Sequence, residues 1–383
     1  MREFRQQLML IIWLILAGSF DKALAQTTAT SPPQEANEQE TRLRIVTNEV
    51  RLPLRAFDPL GKPVTDLTAK EIVVIEDGVS CLVTSLKHEP ANVMLVLDLS
   101  NTLGTFKSGL NESADKEARE RPFDGKNYSP IARPMAQEFA ESLVRQLAAP
   151  DQIAILQYAD RVELLQDWTR NHDEAVNALR AKLRPGLKAR FYDALALAAA
   201  RLQSVPAGRR VLVLVTDGLD TASVSAKQPA FEQVMATGAS IFVVSWTEIV
   251  IGEAHRLLKK KLFSTESSQT KQGWQISSEV LSPTTFKRAG EIKRYTEQAS
   301  RAAEDLKTLV AESGGEYWLP TSFSEFSRKP PTLVSEIGAQ YSLTYLSKKD
   351  QIDRVVNIPE IHLARPGLSV RTRQAAKVKD EAR

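Results

Sequence analysis

Two short apolar segments, each ending in an aspartate, constrain the fold of this sequence more than any other feature. Residues 93–98 (VMLVLD) and 211–217 (VLVLVTD) carry polar residues only at their last one or two positions. Because polar and apolar residues do not alternate, both segments are predicted to be strands buried on both faces, as in a parallel sheet. Parallel neighbours end at one edge of a sheet, where ligands usually bind in open α/β folds. We therefore expect Asp98 and Asp217 to lie side by side.

Hydroxyl side chains follow the first of these aspartates at every second position, as Ser100 and Thr102. One carboxylate and two hydroxyls offer hard oxygen atoms, which suit Mg²⁺, Ca²⁺ or Mn²⁺ better than zinc or copper. A second interpretation fits the same residues, because aspartates often end buried strands and hydroxyls often cap the segment that follows. On this segment alone, a cation site and simple capping both remain open.

The rest of the chain alternates between strand and helix patterns. A third apolar strand is predicted at 240–246 (SIFVVSW), and apolar residues at helical spacing predict helices that include 135–147 and 299–312. This alternation predicts an α/β fold with a doubly wound, mostly parallel sheet. Strand-like patterns flank this core at 42–90 and 340–375, so the flanking strands are expected to build a small β-sandwich-like domain by pairing with each other. The competing arrangement is two separate β-units.

The N-terminal residues are typical of a secretory signal peptide over 1–25, with two arginines, a short apolar run and an Ala-Leu-Ala end. The polar segment 26–41 is predicted to be a disordered leader. The α/β domain is assigned to 91–339, with two long insertions at 103–130 and 248–293. We expect no membrane span after signal cleavage, and an exported protein that is periplasmic, on the cell surface or secreted.

Composition excludes several kinds of site. The single cysteine, Cys81, rules out an internal disulfide and a cysteine-cluster metal site. The four histidines are scattered and show no metal-ligand spacing. A net charge of +3 is too small to argue for a nucleic acid partner. The carboxylates at the strand ends are therefore the main candidates for function.

Together these motifs resemble the von Willebrand factor A-type domain, whose metal-ion-dependent adhesion site reads D-x-S-x-S, then a threonine, then an aspartate after a later strand. The segment 98–102 (DLSNT) matches the first element, with threonine in its last place, and LVTDG contains the matching aspartate. The EDG, ESGGEYW and RPGLSVR segments are also similar to the VWFA-related Acidobacterial-type subgroup of exported proteins. The resemblance implies a divalent cation, Mg²⁺ or else Ca²⁺ or Mn²⁺, held by four residues: Asp98, Ser100, Thr102 and Asp217.

One ligand of the family site is missing. Where the family has a threonine shortly before a Tyr-Asp-Ala-Leu-like helix, this chain has Ala189, between Lys188 and Arg190. A methyl group cannot coordinate a cation, so the site is expected to be degenerate. We also expect Lys188 and Arg190 to bring positive charge near the aspartates, competing with metal or replacing it. The alternative is that both side chains point into solvent.

The resemblance implies a non-catalytic protein-binding or adhesion module, whose partner is a protein ligand presenting an acidic residue. The sequence has no G-x-S-x-G elbow, phosphate loop or cysteine nucleophile beside the aspartates, so it is not expected to be an enzyme. Two alternatives remain: an envelope scaffold protein with a vestigial site, and a metal-assisted hydrolase that uses Asp98 and Asp217.

Overall fold

The computed structural model describes residues 48–100, 132–205, 208–252, 255–256, 267–270, 273–276, 283–347 and 359–373. The predicted signal peptide, the predicted leader and the insertion at 103–130 lie outside these residues, and so does Thr102.

Strands and helices follow one another as the sequence patterns predict. The strands are β1 (Asn48–Phe57), β2 (Pro63–Val64), β3 (Ile72–Glu76), β4 (Val79–Lys87), β5 (Ala91–Asp98), β6 (Gln152–Tyr158), β7 (Val162–Thr169), β8 (Arg209–Val215), β9 (Ser240–Val244), β10 (Ser267–Thr270), β11 (Gly273–Ile276), β12 (Glu316–Trp318), β13 (Tyr341–Ser347), β14 (Glu360–Leu363) and β15 (Ser369–Thr372). The helices are α1 (Ala132–Gln146), α2 (His172–Lys182), α3 (Phe191–Gln203), α4 (Lys227–Ala236), α5 (Pro283–Ser313), α6 (Phe323–Ser327) and α7 (Lys329–Gly338).

Six strands form the central sheet, in the order β12-β9-β8-β5-β6-β7. Neighbouring strands are parallel, except that β7 runs antiparallel to β6. Every residue of β5 and β9 is buried, as their unbroken apolar runs predict. Helices α1, α2 and α7 pack on one face of this sheet, α3 and α4 pack on the other, and α5 contributes to both cores. The predicted α/β class is confirmed.

The flanking segments form a second, antiparallel sheet in the order β14-β3-β4-β13-β1-β15, with β2 beside β1. Strand β1 pairs with both β13 and β15, so residues that precede and follow the α/β domain share one sheet. Its end strands β14 and β15 contact each other, and the sheet therefore curls around its own core. That core includes Leu54, Val74 and Leu343, all fully buried. The predicted β-unit built from flanking strands is confirmed.

Helix α5 differs most from its prediction, because it begins at Pro283 rather than near Ala299 and so occupies part of the expected insertion at 248–293. Before Ala299, Ile292 and Tyr295 of α5 are buried, and the charged residues around them in the sequence weaken the apolar pattern. The hairpin of β10 and β11 lies in the same expected insertion. Among the described residues, no helix is both long and apolar enough to span a bilayer.

Candidate functional site

Asp98 and Asp217 meet at the carboxyl edge of the central sheet. Strands β5 and β8 are parallel neighbours whose last paired residues are Leu97 and Val215. Asp98 follows the first of these residues directly, and Thr216 separates Asp217 from the second. Both aspartates are buried, with Asp98 0% and Asp217 1% exposed. The convergence expected from the two apolar strands is present in the structure.

The Asp98 carboxylate accepts a hydrogen bond at each oxygen. Its Oδ1 atom accepts the backbone N–H of Ser100 at 2.8 Å, and its Oδ2 atom accepts the Thr216 hydroxyl at 3.2 Å. The Tyr158 hydroxyl lies 2.5 Å from the Thr216 hydroxyl oxygen. Since the Thr216 proton goes to Asp98, Tyr158 must donate to Thr216. A relay of two hydroxyls from β6 and from the end of β8 therefore ends on Asp98.

The Asp217 carboxylate is held in the same way. Its Oδ1 atom accepts the backbone N–H of Leu219 at 3.0 Å, two residues further along the chain. Its Oδ2 atom accepts the hydroxyl of Tyr295 at 3.0 Å, and Tyr295 belongs to helix α5. Each aspartate thus receives one backbone N–H and one hydroxyl, and all four carboxylate oxygens have a protein donor.

Burial dominates the electrostatics of this edge. The pKa of Asp98 is raised to about 7, mainly by desolvation and also by repulsion from Asp217, while the hydrogen bond from the Ser100 backbone N–H opposes the rise. Burial also raises the pKa values of Tyr158 and Tyr295 well above the ordinary tyrosine range. Both phenols therefore remain protonated and act as hydrogen-bond donors.

The loop before α3 lies beside this pair. The Gly186 N–H donates to the Leu99 carbonyl at 3.1 Å, which places the loop next to Ser100. Ala189 is buried, and its N–H donates to the hydroxyl of Thr221 at 2.8 Å. Its carbonyl in turn accepts the Thr221 N–H at 2.9 Å. Ala189, which stands in the place of the family threonine, is thus held by two hydrogen bonds to Thr221 in the loop after β8.

The two cations flanking Ala189 have different surroundings. Lys188 is exposed, and the Arg190 guanidinium lies 3.3 Å from a carboxylate oxygen of Asp193, one turn along α3. The structure therefore gives Arg190 an acidic partner other than the two aspartates at the strand ends. Replacement of the metal by these cations stays a prediction.

Three residues of the site were not identified from sequence: Tyr158, Thr216 and Tyr295. Tyr158 is the last residue of β6 and pairs in register with Asp98, so its place at a strand end was a usable signal. Thr216 lies inside the TDG motif itself. Tyr295 could be found only from the helical spacing of Ile292, Tyr295 and Ala299, all buried.

The comparison with protein families decides the kind of domain. Residues 93–219 match the von Willebrand factor type A domain. The chain contains a vWA domain. The match runs from β5 to the residues just after Asp217 and includes both aspartates. It does not test the narrower subgroup, which stays a prediction. The comparison with curated proteins gives no match.

The comparison with solved structures gives matches at low sequence identity. An aerotolerance-related membrane protein from Bacteroides fragilis is 14% identical with a TM-score of 0.34, covering 64% of this chain and 98% of its own. A von Willebrand factor type A protein from Catenulispora acidiphila is 10% identical with a TM-score of 0.38, covering 77% and 51%. Proximal thread matrix protein 1 from the mussel byssus, with a zinc-occupied adhesion motif, is 13% identical with a TM-score of 0.38, covering 69% and 50%.

The described residues do not fit a cation held in the manner of the family site. Ala189 offers no ligand atom, and every carboxylate oxygen of the aspartate pair already accepts a hydrogen bond from a protein donor. Ser100 is the exception, because its buried Oγ atom has no hydrogen-bond partner among the described residues. Within the same residues, no group of three or more histidine, cysteine, aspartate or glutamate side chains is arranged to hold a metal.

Proposed function

We propose that this chain is an exported, non-catalytic protein-binding module whose binding face surrounds the carboxyl edge of its vWA domain. One observation carries the proposal. Two large apolar side chains, Leu187 and Val224, are 56% and 86% exposed on the two loops that flank the aspartate pair. We call these two residues the apolar rim. Isolated exposed apolar residues are common, so the support beneath them matters.

The first loop of the rim is rigidly held. The backbone N–H groups of Leu187 and Lys188 both donate to Oδ1 of Asp160, at 2.9 and 2.8 Å. Next to them, Ala189 is bonded through its N–H and its carbonyl to Thr221 of the second loop. Leu187 is therefore presented on a backbone that four hydrogen bonds hold in place.

The second loop is tied to the start of α3. The backbone N–H of Val224 donates to the Asp193 carboxylate at 3.1 Å, and the N–H of Ser225 donates to the same carboxylate at 2.8 Å. Asp193 is also the partner of Arg190. Preorganised loops lose little conformational entropy on binding. The rim and the exposed Lys188 suit a protein partner that presents an apolar side chain beside an acidic one.

The aspartate pair argues against the hydrolase alternative. Asp98 and Asp217 are buried and their oxygens are bound to protein donors, so neither carboxylate faces solvent as a base or a nucleophile would. The same complete hydrogen bonding favours one second candidate, an envelope scaffold protein in which the pair serves only the fold. The two candidates differ in whether the rim binds a partner.

A capture experiment with matched variants tests the proposal. Full-length protein is immobilised and exposed to envelope extracts of its host, and the Kd of any captured partner is then measured for wild type, for Leu187→Ser with Val224→Ser, and for Leu60→Ser. Leu60 is 93% exposed in the turn between β1 and β2, far along the chain from the rim, and serves as the control. We expect the rim variant to weaken binding about tenfold or more and the control to leave it unchanged. Equal Kd values for both variants, or no specific capture, would favour the scaffold.

A further inference from the structure

We propose that the Tyr295 hydroxyl takes the place of the adhesion-site cation, so that protein donors alone hold the aspartate pair of the native protein. This inference goes beyond the proposed binding function and concerns how the domain holds its acidic edge together. It rests on three observations: the hydroxyl that donates to Asp217, the packing of α5 against the end of β8, and the absence of a hydroxyl ligand at Ala189.

The first observation is the donor set. Two neighbouring buried carboxylates need neutralising contacts, which a cation supplies in the family site. Here the two Oδ2 atoms receive hydroxyl protons instead, from Thr216 on Asp98 and from Tyr295 on Asp217. Thr216 belongs to the strand end itself, whereas Tyr295 comes from a helix 78 residues further along the chain. Helix α5 therefore supplies a donor to Asp217 from outside the sheet edge.

The second observation is that α5 is fixed against this strand end. Tyr295 is 7% exposed, and Ala299 and Leu306 on the same helix face are buried. A Cβ atom on Gly218, the residue after Asp217, would lie 2.6 Å from Cδ1 of Leu306. The helix thus lies in direct contact with the TDG motif, and the Tyr295 hydroxyl is held at Asp217 by packing.

The third observation is the loss of the opposite ligand. The Ala189 methyl group is buried, and its backbone is bonded to Thr221, so no hydroxyl reaches the aspartates from this position. A cation would lack one ligand on the Ala189 side and would compete with the Tyr295 hydroxyl at Asp217. A hydroxyl that donates to Oδ2 of Asp217 without a cation fits both facts.

Metal titration of the full chain tests the inference independently of any protein partner. The probe is Mn²⁺, followed by the loss of the free-ion EPR signal, with the Tm measured in Mg²⁺ and in EDTA. Wild type should show no saturable binding up to about 1 mM Mn²⁺ and the same Tm in both buffers. Tyr295→Phe should lower the Tm in EDTA and gain a Mn²⁺ site that restores part of the loss. Tyr192→Phe, a half-buried tyrosine on α3, is the control and should behave as wild type.

Two results would overturn the inference. Saturable Mn²⁺ binding by wild type would show that the cation is bound despite Tyr295. If Tyr295→Phe weakened such binding, the tyrosine would instead orient a ligand of the metal from outside the coordination shell. Should Tyr295→Phe fail to fold, Asp217→Asn gives a second test. Removing one of two neighbouring charges should keep or raise the Tm of a metal-free site, and a lower Tm in Mg²⁺ alone would contradict the inference.

Discussion

Arg55 joins the antiparallel sheet to the vWA domain, and its replacement should lower the free energy of unfolding by about 3–5 kcal/mol. Arg55 belongs to β1, yet its side chain is 0% exposed and its Nη1 atom lies 2.5 Å from Oε2 of Glu336 in α7. Its Nη2 atom donates to the backbone carbonyls of Gly314 and Gly315 at 2.8 Å each. The guanidinium also lies 5.1 Å from the ring centre of Phe242 in β9. One side chain therefore contacts α7, β9 and the turn between α5 and β12.

The expected loss of unfolding free energy comes from the Glu336 carboxylate, which the variant leaves buried without its cation. Arg55→Met removes the cation but keeps the Glu336 carboxylate buried, and breaking a buried ion pair from one side costs about 3–5 kcal/mol. Burial already raises the pKa of Glu336 although Arg55 opposes the rise. Without Arg55 that pKa rises further, and a raised pKa in the folded state means stability that is lost as pH increases. The loss should therefore be smaller at about pH 5 than at about pH 8.

Urea unfolding followed by circular dichroism at both pH values measures these losses. Arg51→Met is the matched control, because Arg51 lies in the same strand and pairs with Glu89 at 3.4 Å, but its side chain is 51% exposed. An exposed pair is worth less than about 1 kcal/mol, so the control should change little. Adding Glu336→Leu to Arg55→Met should recover the part of the cost that comes from the unpaired carboxylate. Equal losses for Arg51→Met and Arg55→Met would refute the reasoning.

Three further predictions concern the candidate site. Gly218→Ala should lower the free energy of unfolding in urea by about 1–3 kcal/mol, because φ is +78° there and the new Cβ would meet Leu306. Gly61→Ala is the control: φ is +76° but the space around it is open, so its loss of unfolding free energy should be smaller. Asp220→Ala should cost about 1 kcal/mol, because Asp220 Oδ1 accepts the first N–H of α3 at 2.8 Å, and Asp220→Asn should recover most of this. Because the pKa of Asp98 is raised to about 7 in the folded protein, stability in EDTA should fall as pH rises from about 5 to 8, and Asp98→Asn should flatten this decline.

The apolar strands made the main features of the fold predictable. Every residue of the segment 93–97 is apolar, so a strand formed by it must be buried on both faces. This pattern predicts a place in the centre of a parallel sheet. Once two such strands are neighbours, the aspartates that end them must share one edge. The alternating strands on either side of the α/β core likewise required a second sheet.

The polar contacts between distant elements were not predictable in the same way. Apolar periodicity shows which face of α5 is buried, but it does not show which acceptor the hydroxyl of Tyr295 reaches. The sequence shows even less of Arg55, a charged residue in a strand whose neighbours alternate normally, because its hydrogen-bond partners lie more than 250 residues away. Such contacts depend on how elements pack, and hydrophobic patterns carry no information about them.

Ala189, in the place of the adhesion-site threonine, and the hydrogen bond from Tyr295 to Asp217 make physical sense only as a pair. With Ala189 in place of a ligand and no donor from α5, the Oδ2 atom of Asp217 would lose the hydroxyl that now donates to it, next to the buried Asp98 carboxylate, which is costly in a dry environment. With Tyr295 present and the missing ligand restored, a cation and a phenol would compete for Asp217. Either change alone therefore leaves an unfavourable site, while both together leave two carboxylates with complete hydrogen bonding. Tight cation binding of the family type should accordingly require reversal at both positions, and reversal at only one should give at most a weak site.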